Sequence, residues 1–177
     1  MNIALPDCAP RQENAAPKLL LLGLGNDLLT DDGVGLRVVA ALQAAFEDRK
    51  DIAFTASSEM GLALLDLVAG FESLIIVDSV QTKTAPPGTV HELDGEDLVQ
   101  GALLSPHFLG IGEILALGRE LGLVVPRLVK VFAIETEDPF TVGADLTPAL
   151  NACLPQIVDR IRTSLQTSAT QRTLASE

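Results

Sequence analysis

Tryptophan and tyrosine are absent from this 177-residue sequence, and its only aromatic residues are six phenylalanines. Proteins that hold single-stranded nucleic acid stack bases on aromatic rings, and this chain has almost none to offer. Basic residues are also scarce: 12 Lys and Arg stand against 24 Asp and Glu, a net charge of −12. Phosphate backbones and anionic membrane surfaces both attract clustered positive charge. The balance therefore argues against nucleic acid and membrane as partners. Cysteine is limited to Cys8 and Cys153, too few for a disulfide framework and in keeping with a reducing cytosol. The opening residues carry Asp7, Arg11 and Glu13 and no apolar core of the kind a secretory signal needs. No apolar run approaches the roughly 18 residues of a membrane span. A cytoplasmic location is expected.

What the chain does contain is enough apolar material for a core. Hydrophobic residues make up 47% and charged residues 20%, a globular balance, and the length suits one domain. Residues 1–17 and 166–177 read as flexible tails, leaving 18–165 as a single α/β domain.

Within that domain, Lys18–Gly23 is a short apolar run of the length of a buried strand. It ends in Gly23, Gly25 and Asn26, residues that permit tight turns, and then meets two adjacent acids, Asp31 and Asp32. A helical pattern follows from about Asp32 to Phe46, and either acid is a candidate cap for it. Asp51–Thr55 reads as a second strand, Ala56–Glu59 as a polar loop and Gly61–Ala69 as a helix. Ser73–Asp78 is the clearest buried strand and carries a carboxylate at its end. The loop Thr82–Gly88 is too short for a crossover helix, so the next strand, Thr89–Leu93, is expected to run antiparallel at an edge. His91, on that strand, reads as a surface residue. Ser105-Pro106-His107 has the cap-then-proline start of a helix. Arg127–Glu135 is the last strand. Thr147-Pro148 starts a final helix, whose apolar stripe runs to Leu165 and which Pro155 should kink or split. This order predicts a three-layer αβα sandwich. Its sheet is five-stranded, twisted and mostly parallel, with one antiparallel edge strand and about four to five flanking helices.

Three polar groups then fall at comparable places. Asp31 and Asp32 follow strand one, Asp78 ends strand three, and His107 opens a helix in the next crossover. If strands one and three are neighbours, the acids meet at one end of the sheet, where open α/β folds bind ligands. Two carboxylates and an imidazole suit a borderline cation such as nickel, zinc or iron, with positions left for other ligands. Competing motifs are weaker. Gly23-Leu24-Gly25 begins like a dinucleotide fingerprint, but Leu28 stands where the third glycine belongs. There is no Gly-x-Ser-x-Gly elbow, no Cys–His pairing and no His-Glu-x-x-His helix.

The stretch Gly23-Leu24-Gly25-Asn26-x-Leu28-x-x-Asp31-Asp32-Gly33-x-Gly35 resembles the opening of the NiFe-hydrogenase maturation endopeptidases. Ile75-Ile76-Val77-Asp78, Pro87-Gly88-Thr89 and Ser105-Pro106-His107-x-Leu109-Gly110 extend the resemblance, in order and spacing, over about residues 18–165. It implies an enzyme that removes a C-terminal extension from the hydrogenase large-subunit precursor after nickel insertion. It further implies Asp32, Asp78 and His107 as the metal-binding and catalytic positions, with nickel supplied by the precursor and Asp31 and Asn26 in support. The first ligand is often Glu in the family, so Asp32 is one methylene shorter. After strand two, well-known members read Asp-Gly-Gly-Thr-x-Gly; here the loop is Ala56-Ser57-Ser58-Glu59-Met60-Gly61, which makes Ser58 and Glu59 candidate substrate contacts. Whether the metal or an aspartate activates the attacking water stays open. A small acidic enzyme of this kind is expected to work as a monomer.

Two other classes fit part of the pattern. A receiver-like signalling domain would use Asp78 as a phospho-acceptor with Mg²⁺, and would want a Lys near the end of the last strand, where this chain has Lys130 in mid-strand. A chaperone that binds the nickel-loaded precursor without cutting it is the other.

Overall fold

Five apolar segments pair into one sheet, and the helices cover its two faces. The computed structural model describes residues 18–94 and 110–174, with side chains through residue 166. The elements in order are β1 (Leu19–Leu24), a 3-10 turn (Asp31–Gly33), α1 (Val34–Ala45), β2 (Ile52–Ser57), α2 (Ala63–Val68), β3 (Ser73–Val80), β4 (Val90–Asp94), α3 (Ile111–Glu120), β5 (Leu128–Glu135) and α4 (Pro148–Leu174). The sheet order is β2-β1-β3-β5-β4. β1 lies parallel to both β2 and β3, β3 is parallel to β5, and β4 runs antiparallel to β5 at the edge. The short loop before β4 predicts that reversal.

Strand alternation sends successive side chains to opposite faces. On one face Leu20, Leu22, Leu74, Ile76, Val80 and Ala133 pack with α2 and α3. On the other, Leu21, Ile75, Val77, Phe132 and Ile134 pack with α1 and α4. Every residue of β3 is buried, as a central strand covered on both faces requires. Each fully buried Leu or Ile contributes about 1.5–3 kcal/mol, so β3 and β1 carry much of the stabilisation of the core.

β3 runs two residues past the end that the sequence predicts. Asp78 therefore lies inside the strand, paired with Ala133, and not at its end. The final helix also departs from expectation. Of the kink or split expected at Pro155 the split does not occur, because both Pro155 and Asn151 are exposed and water can take the carbonyl that proline leaves without a donor. Its backbone continues to Leu174, beyond residue 165 where the domain was expected to give way to a tail. The helix start expected at Ser105 lies outside the described residues. The described part of α3 begins after Gly110, whose φ of 84° is left-handed and suits a residue without a side chain.

Two close approaches fix where α1 sits. A Cβ on Gly35 would stand 2.3 Å from the carbonyl oxygen of Leu24 and 2.4 Å from that of Val77. The first turn of α1 thus rests on the ends of β1 and β3, with no room for a methyl group. Gly25, at φ 144°, is equally tight: its Cβ would meet the carbonyl oxygen of Asp32 at 2.0 Å. The loop after β1 is folded against the turn that carries the two acids.

Candidate active site

The connection from β1 leads to β2 on one side, and the chain then crosses back to β3 on the other. Strand order reverses at β1/β3, and the crevice beyond the carboxyl ends of such strands is where open α/β sheets bind ligands. Asp32 reaches this crevice from the 3-10 turn after β1, and Asp78 from β3. Both are buried, at 8% and 0% exposure.

Ser79 joins them. Its hydroxyl donates to Asp32 Oδ1 at 2.7 Å, and its backbone amide donates to Asp78 Oδ1 at 2.8 Å. The other oxygen of Asp32, Oδ2, accepts the amide of Asn26 at 2.9 Å. Asn26 shapes its own loop as well: Oδ1 accepts the amide of Leu28 at 3.0 Å, an Asx turn. Its role is to set the turn that aims Asp32. Sequence reasoning passed over Ser79, although period-2 alternation places it on the face opposite Asp78.

Asp31 does something else. It is fully buried. Oδ2 accepts the amides of Glu137 and Asp138 at 3.1 and 3.0 Å and the hydroxyl of Thr147 at 3.0 Å, while Oδ1 accepts the Thr147 amide at 2.8 Å. It ties the 3-10 turn to the loop between β5 and α4. Neither acid caps α1, although either was a candidate. The N-cap is Gly33, with no side-chain cap bond, because the carboxylates turn away to these other donors.

His107 lies outside the described residues. The described chain resumes at Gly110 and enters α3, which packs on the face where Asp78 alternates with Leu74, Ile76 and Val80. Among the described residues no three or more His, Cys, Asp or Glu side chains gather where they could hold a metal; Asp32 and Asp78 are two members of a predicted set of three. The pair by itself offers only buried carboxylate oxygens, a donor set for hard cations; a borderline cation calls for a nitrogen donor beside them. Ser58 and Glu59 lie exposed in the loop after β2, with the Glu59 amide donating to Ser57 Oγ at 3.1 Å.

Another buried carboxylate lies at the end of β5. Glu135 is 1% exposed. Oε1 accepts the amides of Thr82 and Lys83 at 2.7 and 2.8 Å, and Oε2 accepts the Thr82 hydroxyl at 2.7 Å and lies 3.1 Å from Nε2 of His91. Burial pushes this carboxyl up. The Thr82 hydroxyl, the Lys83 amide, the His91 ring and the Thr82 amide outweigh it and hold the pKa below the usual carboxylate value. His91 was expected at the surface; three-quarters of its side chain is covered because Glu135 needs a partner.

The receiver alternative fails on Lys130. It pairs with Glu92 of β4 and lies 5.9 Å from the centre of the Phe132 ring, on the sheet face opposite that of Asp78.

Comparison with known proteins gives the family and the fold. The family model for hydrogenase maturation proteases matches residues 36–164. The hydrogenase 2 maturation protease of Escherichia coli (strain K12) is 31% identical over 157 residues, covering 87% of this chain and 94% of that protein. The hydrogenase expression/formation protein HoxM of Azotobacter vinelandii is 31% identical over 157 residues, covering 82% of this chain and 74% of that protein. Among solved structures, the hydrogenase maturating endopeptidase HybD from E. coli superposes with a TM-score of 0.68 at 30% identity, over 85% of this chain and 93% of that one. It shares the α/β fold. Sequence, sheet order and relatives converge: the chain belongs to the hydrogenase maturation protease family and is a peptidase.

Proposed function

We propose that this enzyme removes the C-terminal extension of a NiFe-hydrogenase large-subunit precursor in the cytoplasm, and that it recognises the precursor by the nickel already inserted there. The observation that carries the reading is the Ser79-linked pair of buried acids, Asp32 and Asp78, at the switch point of the sheet. In this account Asp32, Asp78 and His107 complete the coordination of the nickel that the precursor brings, and the scissile peptide is placed by that contact. Borderline cations accept such mixed oxygen and nitrogen ligands. A protein substrate also suits the surface beside the acids. The loops on either side of Asp31 are joined by a Leu29–Val142 bridge and by the Thr30 amide donating to the Thr141 carbonyl at 3.0 Å. Leu28, Phe140 and Val142 are left exposed there, an apolar surface for another protein to cover.

The test is to mix the enzyme with a large-subunit precursor, loaded with nickel or free of it, and to follow loss of the extension by mass. Cleavage of the nickel-loaded form alone is expected, and His107→Ala should stop it. If no nickel-loaded precursor is cut, the endopeptidase reading falls and the non-cleaving chaperone takes its place. If the nickel-free form is cut equally well, nickel is not the recognition element.

Substrate choice is assigned to the end of β2, which runs two residues into the loop expected at Ala56–Glu59, and to the turn that follows; Ala56, Ser58, Glu59 and Met60 are exposed there. Replacing residues 56–61 by Asp-Gly-Gly-Thr-x-Gly should shift the ratio of kcat/KM between two different precursors by about tenfold, an energy of about 1.4 kcal/mol. An unchanged ratio would clear this loop of any part in specificity.

A further inference from the structure

We propose that Ser79 is a positioning residue, its side chain setting the orientation of Asp32 while its backbone sets that of Asp78, so that the two acids act as one grip. The role rests on the nickel-recognition reading above. Ser79 touches both acids through two different groups, Oγ to Asp32 Oδ1 at 2.7 Å and N to Asp78 Oδ1 at 2.8 Å.

Strand geometry makes this division possible. Asp78 and Ser79 are consecutive in β3, so their side chains leave on opposite faces. Asp78 belongs with the residues packed under α2 and α3. Ser79 alternates with Ile75 and Val77 on the face under α1, and Asp32 stands at the entry to α1. The two acids thus approach the end of the sheet from its two sides. Ser79 connects Asp32 to Asp78 across 46 positions of sequence, because it belongs to β3 and faces α1.

The bond also fixes the Asp32 carboxylate in rotation. Oδ1 takes the Ser79 hydroxyl and Oδ2 the Asn26 amide. With one of these donors on each oxygen, the plane of the group is set before any substrate arrives. A carboxylate oxygen has a second lone pair, and its direction is then set too. Ser79 directs its hydroxyl proton to Asp32 and is buried as a residue, which makes it a support for the reacting groups and not a nucleophile. Partners of this kind hold ligands in register, and their loss typically costs 10–100-fold in metal affinity or activity.

The experiment compares wild type, Ser79→Ala and Ser79→Thr as full-length chains. Binding of NiCl2 alone is measured by calorimetry, and kcat/KM is measured on nickel-loaded precursor. Ser79→Ala should weaken nickel binding and lower kcat/KM by about 10–100-fold each. Ser79→Thr keeps the hydroxyl and suits a strand, and should restore most of both. Circular dichroism confirms that each variant is folded. A folded Ser79→Ala chain with wild-type nickel affinity and wild-type kcat/KM overturns the proposal. So does a Ser79→Thr chain no better than Ser79→Ala, because shape rather than the hydroxyl would then matter. If wild type cleaves the nickel-loaded precursor yet takes up no free nickel, kcat/KM decides: a fall in Ser79→Ala that Ser79→Thr restores supports the role, and an unchanged kcat/KM overturns it. If wild type cleaves nothing, the endopeptidase reading fails, and the nickel titration alone decides whether Ser79 aligns the two acids.

Discussion

Asp78→Asn is expected to slow precursor processing by about 10²–10⁴-fold, the range typical of a lost acid–base group, while leaving the protein folded. Asparagine has nearly the same shape, and its carbonyl oxygen can still accept the Ser79 amide that Asp78 Oδ1 accepts at 2.8 Å. The neighbours of Asp78 in β3, from Ser73 to Val80, are all buried and unchanged. What disappears is the negative charge. A neutral amide is a poor ligand for a borderline cation and no base, so the loss follows whether Asp78 holds the precursor's nickel or activates water. Asp32→Asn should behave alike, with one difference. One of its two oxygens becomes an NH2 facing either the Ser79 hydroxyl or the Asn26 amide, and only the hydroxyl can turn to accept. The measurement is the rate at which the extension is lost from nickel-loaded precursor, followed by mass, with the thermal midpoint as control. Wild-type processing by Asp78→Asn would remove Asp78 from the chemistry.

The sequence made the sheet legible because its signals are local. Ser73–Asp78 is a run of apolar residues with the length of a strand, and a loop of a few residues before β4 leaves no space for a crossover. The direction of that edge strand follows from length alone. Less was legible where partners are far apart in sequence. Nothing in the sequence near Asp31 announces Glu137, Asp138 and Thr147, which lie 106, 107 and 116 residues away. Two neighbouring acids look interchangeable in a sequence, and only the fold assigns one to the crevice and the other to the framework. Glu135 shows a signal that was available. It ends an apolar strand in the way that drew attention to Asp78, and a buried carboxylate at such a place requires donors. Reading it by the same rule would have moved His91 off the surface. Ser79 was within reach too, since period 2 sets it opposite Asp78, but the arrival of Asp32 on that face depends on Gly35 letting α1 lie against Leu24 and Val77.

Asp31→Ala is expected to cost about 3–5 kcal/mol of stability, because several buried donors lose their common acceptor. Four donors converge on this carboxylate at 2.8 to 3.1 Å, three backbone amides and one hydroxyl. Alanine leaves them facing a site with no exposure to water, and each buried donor without a partner costs about 1–3 kcal/mol. Relaxation of the loop between β5 and α4 recovers part of that sum, which is why the net falls below it. For a domain of this size the loss lowers Tm by roughly 10 °C. Asp31→Asn keeps one acceptor oxygen and should fall between alanine and wild type, which gives a usable variant if alanine does not fold. Urea unfolding measures both. The effect on processing separates Asp31 from its neighbour. Well below its Tm the Asp31→Asn chain should still cut precursor within about tenfold of wild type, because Asp32 keeps its bonds to Ser79 and Asn26. A stable Asp31→Asn chain as inactive as Asp32→Asn would place both acids in the crevice, whereas lost stability with retained cutting assigns Asp31 to the framework that holds Asp32 in place.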